Sequence, residues 1–307
     1  MTLKELQEKQ SWSLEQKVFH SLEVIGSYVT RLGGCDKVYV SFSGGKDSTV
    51  LLHLCQMLYP DIMAVFINTG NEWPEILQFV NRIKDEGKTN LHIIRPEMTP
   101  RQVWSQIGFP LVSKEAAQQI EIIRNNPTCK SAVRFLTRDK FGLAKRWRYL
   151  IDEPYCTSAK CCSILKKQPA HKFEKETGRK PIIGIMASES ILRTSSYIKM
   201  GGCNSFSDKR VVSWPLAIWT EQDILDFIEH KNLPIAEIYS KGVTRTGCVG
   251  CGFGAYHSDE NRPSLKLLYE LHPKYYDMIM SYTNNGCSFR EAVHKMKQVT
   301  KTVLPDE

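Results

Sequence analysis

Residues 37–59 constrain this chain more than any other stretch. Lys37-Val-Tyr-Val-Ser-Phe-Ser43 is rich in β-branched and aromatic residues and reads as a strand; Gly44-Gly45 interrupts it, and residues 47–59 read as a helix. Two adjacent glycines let a backbone approach an anion with no Cβ in the way. The first turn of the helix adds unpaired N–H groups and the positive end of the helix dipole. Ser43 and Ser48 contribute hydroxyls and Lys46 a charge, so Ser43-Gly44-Gly45-Lys46-Asp47-Ser48 is expected to cradle a phosphate. The spacing fits neither the Walker A pattern Gly-x4-Gly-Lys-Ser/Thr nor a GxGxxG dinucleotide turn.

The same alternation continues. Residues 62–68 and 91–95 read as strands, with a helix over 74–87 between them, and residues 181–187 and 211–216 as two further strands. Helices are expected over 13–32, capped by Ser13, and over 220–230, capped by Thr220. Strands alternating with helices at this pitch predict an α/β fold: a parallel, twisted, Rossmann-like sheet flanked by helices. Residues 100–180 are expected to be mostly helical, residues 239–255 a glycine-rich loop, and 263–284 and 289–301 terminal helices. The division expected is an N-terminal helical segment (1–36), a nucleotide-binding α/β domain (37–235) and a helical, cysteine-bearing C-terminal extension (236–307).

The longest apolar runs, such as residues 62–67, fall far short of the ~20 residues of a membrane span. The first residues show no apolar signal core, so a cytoplasmic location without membrane contact is expected. In a reducing compartment, ten cysteines are better read as metal or redox groups than as disulfides. Residues 130–180 hold fourteen Lys and Arg against five Asp and Glu, more than the whole net charge of +8. With Phe135, Phe141 and Trp147 among those charges, the stretch suits an anionic partner and is expected to be able to seat a nucleic acid.

The hexapeptide at 43–48 resembles the PP-loop of the adenine-nucleotide α-hydrolase superfamily, which includes ATP pyrophosphatases, tRNA thiolation enzymes and sulfonucleotide reductases. Two further stretches resemble the phosphoadenylyl-sulfate (PAPS) reductase branch. Asn68-Thr69-Gly70-Asn71-Glu72-Trp73-Pro74-Glu75 is similar to its Asp-Thr-Gly-x-Glu-x-Pro-Glu segment, with Asn68 where that pattern has Asp. Gly184 to Arg193 is similar to its Gly-x4-Glu-Ser-x2-Arg element through Glu189, Ser190 and Arg193. The resemblance implies a nucleotide site built from Ser43, Gly44, Gly45, Lys46, Asp47, Ser48, Asn68, Thr69, Gly70, Glu75, Glu189, Ser190 and Arg193, with Lys46, Asp47 and Arg193 as its catalytic groups.

Cys161-Cys162, then 85 residues, then Cys248-Val-Gly-Cys251 supply four soft ligands in two pairs, a donor set for an iron–sulfur cluster or for zinc. The arrangement resembles the set that holds a [4Fe–4S] cluster in bacterial adenylyl-sulfate reductases. The flanking Lys166, Lys167 and Pro169, and the stretch from Trp214 through Trp219 to Tyr239, match as well. Besides Asn68, the chain departs from the reductases in a second respect: it has no C-terminal Glu-Cys-Gly-x-His segment carrying the nucleophilic cysteine, and Cys287 is its only cysteine beyond Cys251.

The function expected is therefore an iron–sulfur enzyme that binds ATP with Mg²⁺ and activates a substrate by adenylation for sulfur transfer. Nucleic acid is one acceptor that this reading allows, and a cysteine desulfurase or thioredoxin one kind of sulfur partner; the sequence identifies neither acceptor nor donor. The alternatives are a reductase of adenylyl sulfate or its 3′-phosphate with Cys287 as a relocated nucleophile, and a nucleotide-binding module with a structural zinc.

Overall fold

The computed structural model describes residues 2–306 apart from Asp139, Lys209, 258–263 and Thr302. In chain order its elements begin with α1 (Leu3–Gln10), α2 (Leu14–Leu32), β1 (Val38–Phe42), α3 (Lys46–Leu58), β2 (Ala64–Ile67), α4 (Pro74–Asp85) and β3 (Leu91–Ile94). There follow α5 (Pro100–Gln106), α6 (Lys114–Asn125), α7 (Lys130–Thr137), α8 (Gln168–Thr177), β4 (Lys180–Ile183), α9 (Ile191–Met200), β5 (Asn204–Ser207), β6 (Arg210–Ser213) and α10 (Glu221–Lys231). The chain closes with α11 (Ser264–Leu271), α12 (Pro273–Met280), β7 (Thr283–Asn284), β8 (Cys287–Ser288) and α13 (Phe289–Thr300). Two compact units result. One holds residues 1–68, 74–94 and 170–245; the other holds 69–73, 95–169 and 246–307.

The first unit is the expected α/β fold. Its six strands run in the order β3-β2-β1-β4-β6-β5, parallel except for β5, which pairs antiparallel with β6. β1 lies inside the sheet, with Val40 opposite Ala64 on one side and Ile182 on the other. Val38, Val40, Ala64 and Ile182 are fully buried, as a parallel strand covered on both faces requires. Strand order runs one way from β1 through β2 to β3 and the other way from β4. The C-terminal ends of β1 and β4 therefore border the switch point where ligands bind in open α/β sheets.

Some of the polar groups buried among these helices are paired. Lys17 on α2 meets Asp223 on α10 at 2.7 Å, and the Trp219 indole N–H donates to the Ser21 hydroxyl at 2.9 Å. That hydroxyl in turn donates to the Pro215 carbonyl at 2.9 Å, so the network is closed.

The second unit packs an aromatic core. The Trp104 and Phe289 rings stand 4.6 Å apart, and Phe109 and Phe289 5.2 Å apart. Asn284, 3% exposed, ties this core together: its amide donates to the Trp104 and Ser105 carbonyls and its oxygen accepts the Cys156 N–H.

Several local expectations give way. The helix expected over 263–284 begins at Pro263, outside the described residues; within them it is two helices, because Pro273 starts a new one at His272. It is followed by a tight β7–β8 turn at Asn285-Gly286, both with positive φ. The strand expected over 181–187 ends at Ile183, and the one over 211–216 ends at Ser213.

Candidate functional site

In the first unit the loop after β1 turns on Gly44, whose φ of +72° suits glycine. A Cβ there would stand 2.9 Å from both Ile76 and Val80 on α4, so the turn has no room for a side chain. The loop is pinned from within. The Ser43 N–H donates to the Ser48 hydroxyl at 3.1 Å, the two hydroxyls lie 3.0 Å apart, and the Gly45 N–H donates to Ser43 Oγ at 3.3 Å. Ser48 and Thr49 hydroxyls donate to the Gly45 carbonyl at 2.9 and 3.0 Å. Ser43 to Ser48 thus form a preset bowl at the mouth of α3, whose first-turn N–H groups have no acceptor within the helix.

Lys46 is already engaged. Its ammonium lies 2.5 Å from Glu221 Oε1 and 3.2 Å from the Thr244 carbonyl, and its backbone N–H donates to the Tyr239 hydroxyl at 2.9 Å. Asp47 is the opposite case. Its Oδ1 is buried with no hydrogen-bond partner. Burial, reinforced by the neighbouring Glu189 carboxylate, pushes its carboxyl up to about 6. Gly184, just past β4, brings that strand's end against α3: a Cβ there would sit 3.3 Å from the Asp47 carbonyl oxygen.

The residues after β4 join the same rim. Glu189 accepts the Met186 N–H at 3.1 Å and pairs with Arg193 and, at 2.7 Å, with Arg245. Ser190 caps α9, accepting the Arg193 N–H. Glu75, 4% exposed on α4, is paired with Lys241 at 2.9 Å. Asn68 closes β2, its N–H donating to the Ile94 carbonyl at 2.9 Å. Thr69 and Gly70 fall in the second unit, where Thr69 and Glu72 hydrogen-bond each other at 2.5 Å.

Lys241 and Arg245 escape a reading of the sequence alone, while Glu221 and Tyr239 fall within the stretch that resembles the family without a site role being read for them. The four meet Lys46, Glu75 and Glu189 across 56 to 193 positions of the chain.

In the second unit the four cysteines interact electrostatically with one another. Cys161 feels the charge of Cys248 and Cys162, and Cys251 that of Cys248, Cys162 and Cys161. The CxxC turn closes with a Cys251 N–H to Cys248 carbonyl contact of 3.4 Å. Gly250 in that turn has φ +65°, and a Cβ there would stand 2.7 Å from Ile279. The Val249 N–H donates to the Asn71 carbonyl at 2.8 Å, anchoring the loop.

Burial pushes Cys161 up to about 11 and Cys251 to about 12, and raises Cys248 too. Two donors oppose it. The Trp104 indole N–H lies 3.4 Å from Cys161 Sγ, and the Lys166 ammonium bonds Cys248. Four thiols with N–H donors are the donor set an iron–sulfur centre uses. Among the described residues, no group of three or more His, Cys, Asp or Glu is arranged to hold a metal ion.

The basic stretch divides. Trp147 is a core residue, 4% exposed, and its ring meets Tyr256 at 5.0 Å, so it is not a free stacking face. Phe141 is 81% exposed. No helix among the described residues is long and apolar enough to cross a membrane.

Comparison with known proteins places these features. An adenosine 5′-phosphosulfate reductase of Staphylococcus haemolyticus is 22% identical over 232 residues, 74% of this chain and 75% of that one. Its counterpart in Halalkalibacterium halodurans is 24% identical over 242 residues, 78% of this chain and 82% of that one. An uncharacterized protein of Methanocaldococcus jannaschii is 24% identical over 219 residues, 70% of this chain but 41% of its own greater length. The family model described as the phosphoadenosine phosphosulfate reductase domain matches residues 37–123 and 131–252, which take in the phosphate loop and all four clustered cysteines. This chain belongs to the phosphoadenosine phosphosulfate reductase domain family.

Proposed function

We propose that the chain binds an adenine nucleotide with its phosphates on Ser43 to Ser48 and activates a substrate by adenylation for sulfur transfer. The observation that carries this reading is the unpartnered, buried Asp47 oxygen beside a preset phosphate bowl at the switch point of the sheet. A polar atom buried without a partner costs roughly 1–3 kcal/mol, and a cationic or hydrogen-bonding ligand removes that cost. Asp47, with the Ser43 and Ser48 hydroxyls, would hold the Mg²⁺ that accompanies ATP. That ion would neutralise phosphate charge.

A substrate oxygen attacks the α-phosphorus, the bond from that phosphorus to the bridging oxygen breaks, and pyrophosphate leaves. The loop N–H groups and Lys46, once released from Glu221, stabilise the leaving charge. Arg193, 39% exposed and paired with Glu189, would orient phosphate oxygens through its planar fork. A sulfur nucleophile carried by a donor protein then displaces AMP. Cys161, Cys162, Cys248 and Cys251 would hold a [4Fe–4S] cluster, which supplies a sulfur- or electron-handling centre when bound; zinc on the same four thiolates is the alternative.

The second reading is reduction of adenylyl sulfate, favoured by relatives of that name aligned along about three quarters of this chain. It needs a nucleophilic thiolate. Burial and the nearby Glu291 push Cys287 up to about 11, so little thiolate is present at neutral pH. For that reason adenylation ranks first.

The test is a substrate panel run anaerobically. Pyrophosphate release from ATP without sulfate is the expected result. Sulfite release from adenylyl sulfate with thioredoxin, abolished in Cys287→Ser, overturns it in favour of reduction.

A further inference from the structure

The second unit carries a surface that the nucleotide chemistry does not use. Residues 124–148 contain eight Lys and Arg against one Asp, so this short segment holds most of the chain's positive excess. Lys130, Arg134, Arg138, Lys140, Lys145 and Arg146 are all exposed. Among the described residues none of these six forms a salt bridge, although they crowd one segment of one unit. Like charges held together at a surface repel, and an unneutralised group of this size is what a polyanion relieves.

Phe141 is presented outward from the middle of this group. It is 81% exposed and has φ +62°, a left-handed conformation that a bulky residue adopts only under constraint. The constraint is visible. The Gln119 side chain, itself 6% exposed, donates to the Phe141 carbonyl at 3.2 Å, and the Leu143 N–H donates to the Phe135 carbonyl at 2.8 Å. Gly142 follows, and a Cβ there would run into the Arg138 carbonyl oxygen. The turn therefore has one shape, and that shape holds an aromatic ring in water. Phe141 and Phe135 line an open cleft of about 340 Å³ together with Arg134, Arg138 and the amide side chains of Gln118 and Gln119.

We propose that this cleft is a stacking site for single-stranded nucleic acid, with a base against Phe141 and the backbone phosphates on Arg134, Arg138 and their basic neighbours. Rings supply a face that every base can stack on, guanidinium groups take the phosphates, and amides accept or donate at base edges. Duplex nucleic acid hides its base faces, so the exposed ring selects single strands. Naming the strand as the sulfur acceptor rests on the function proposed above; the binding itself does not.

The experiment measures binding without turnover. A fluorescein-labelled 20-nucleotide single strand of mixed sequence is titrated with the full chain by anisotropy, at several salt concentrations. Nucleotide binding is measured separately, so that loss of one activity is distinguishable from loss of the other. Phe141→Ala is expected to weaken the strand about five- to 150-fold, the value of one stacked base, with an unchanged melting temperature and unchanged ATP binding. Arg134→Gln and Arg138→Gln are each expected to flatten the dependence of log affinity on log salt by about 0.7. Equal affinity of Phe141→Ala and the parent chain overturns the proposal. So does binding of a matched duplex, or of polyglutamate competitor, as tight as that of the single strand.

Discussion

The Lys46 ammonium sits 2.5 Å from the Glu221 carboxylate, so the charge expected to face a phosphate is held by an acid on α10. Glu221 is 59% exposed and Lys46 only 10%, so the pair is anchored at the lysine end and loose at the carboxylate end. A ligand phosphate must compete with Glu221 for that ammonium. Glu221→Gln removes the competitor and leaves the lysine in place. An ion pair with one solvated partner contributes about 0.2–1 kcal/mol. The nucleotide dissociation constant, by calorimetry, is therefore expected to fall about 1.4- to fivefold. A weaker-binding Glu221→Gln would mean that Glu221 itself contacts the ligand.

Asp47 sets the pH dependence. Its carboxyl is raised from 3.8 to about 6, which means that the folded state disfavours the charged form. The resulting destabilisation is absent below about pH 4, grows as pH rises, and is complete above about 6. The difference of about two pH units corresponds to roughly 3 kcal/mol at the 1.36 kcal/mol of each. Asp47→Asn is therefore expected to be more stable than the parent chain at pH 8 and no different at pH 4, by urea denaturation. Mg²⁺-dependent nucleotide affinity moves the other way: it needs the carboxylate, so it declines as pH falls through about 6 and disappears in Asp47→Asn. A pH-independent stability difference between the two chains would refute the assignment of the orphan oxygen.

Gly44→Ala tests the bowl itself. The left-handed backbone strains any L residue by about 1–2 kcal/mol, and the new Cβ presses on Ile76 and Val80 at 2.9 Å. The loop can answer only by moving off α4, which shifts the N–H groups proposed to face a phosphate. The urea midpoint is expected to fall by the equivalent of about 1–3 kcal/mol, with nucleotide affinity reduced at least tenfold. Retained affinity in a destabilised variant would place the phosphates elsewhere.

How much of this a reader could take from the letters differs from element to element. The β1–loop–α3 unit is legible because burial, glycine spacing and helix periodicity all agree within 23 residues. β5 is not, because Asn-Ser-Phe-Ser is a polar edge strand held by its antiparallel partner rather than by burial. α9 hides for a related reason: Ile191 and Leu192 are 87% and 80% exposed, so its apolar residues do not mark an inward face. The loop sequence announces the glycine turn and the start of α3. The residues that now occupy Lys46 and Glu75 arrive from 221 to 244, through tertiary packing that no local pattern encodes. The thiols are legible as two pairs and Lys166 as part of the element that follows the first, but the Trp104 donor is not, since it lies 57 positions from Cys161.

Those donors give the last prediction. A buried thiol is pushed toward its neutral form, and a metal centre can form only where the thiolates are stabilised. Gly250 controls the geometry: its φ of +65° and the 2.7 Å approach of Ile279 leave no space for a methyl group. Gly250→Ala alters no ligand, yet it must displace the CxxC turn. Anaerobically purified parent protein is expected to be brown, absorbing near ~400 nm as iron–thiolate centres do. Cys251→Ser and Gly250→Ala should both lose most of that absorbance and most of the bound iron. Trp104→Phe keeps an aromatic ring in the core, though a smaller one, and removes the N–H donated to Cys161, so it should retain iron but shift the reduction potential of the centre. A colourless parent protein carrying one zinc per chain would remove the cluster and leave the four thiolates a structural role.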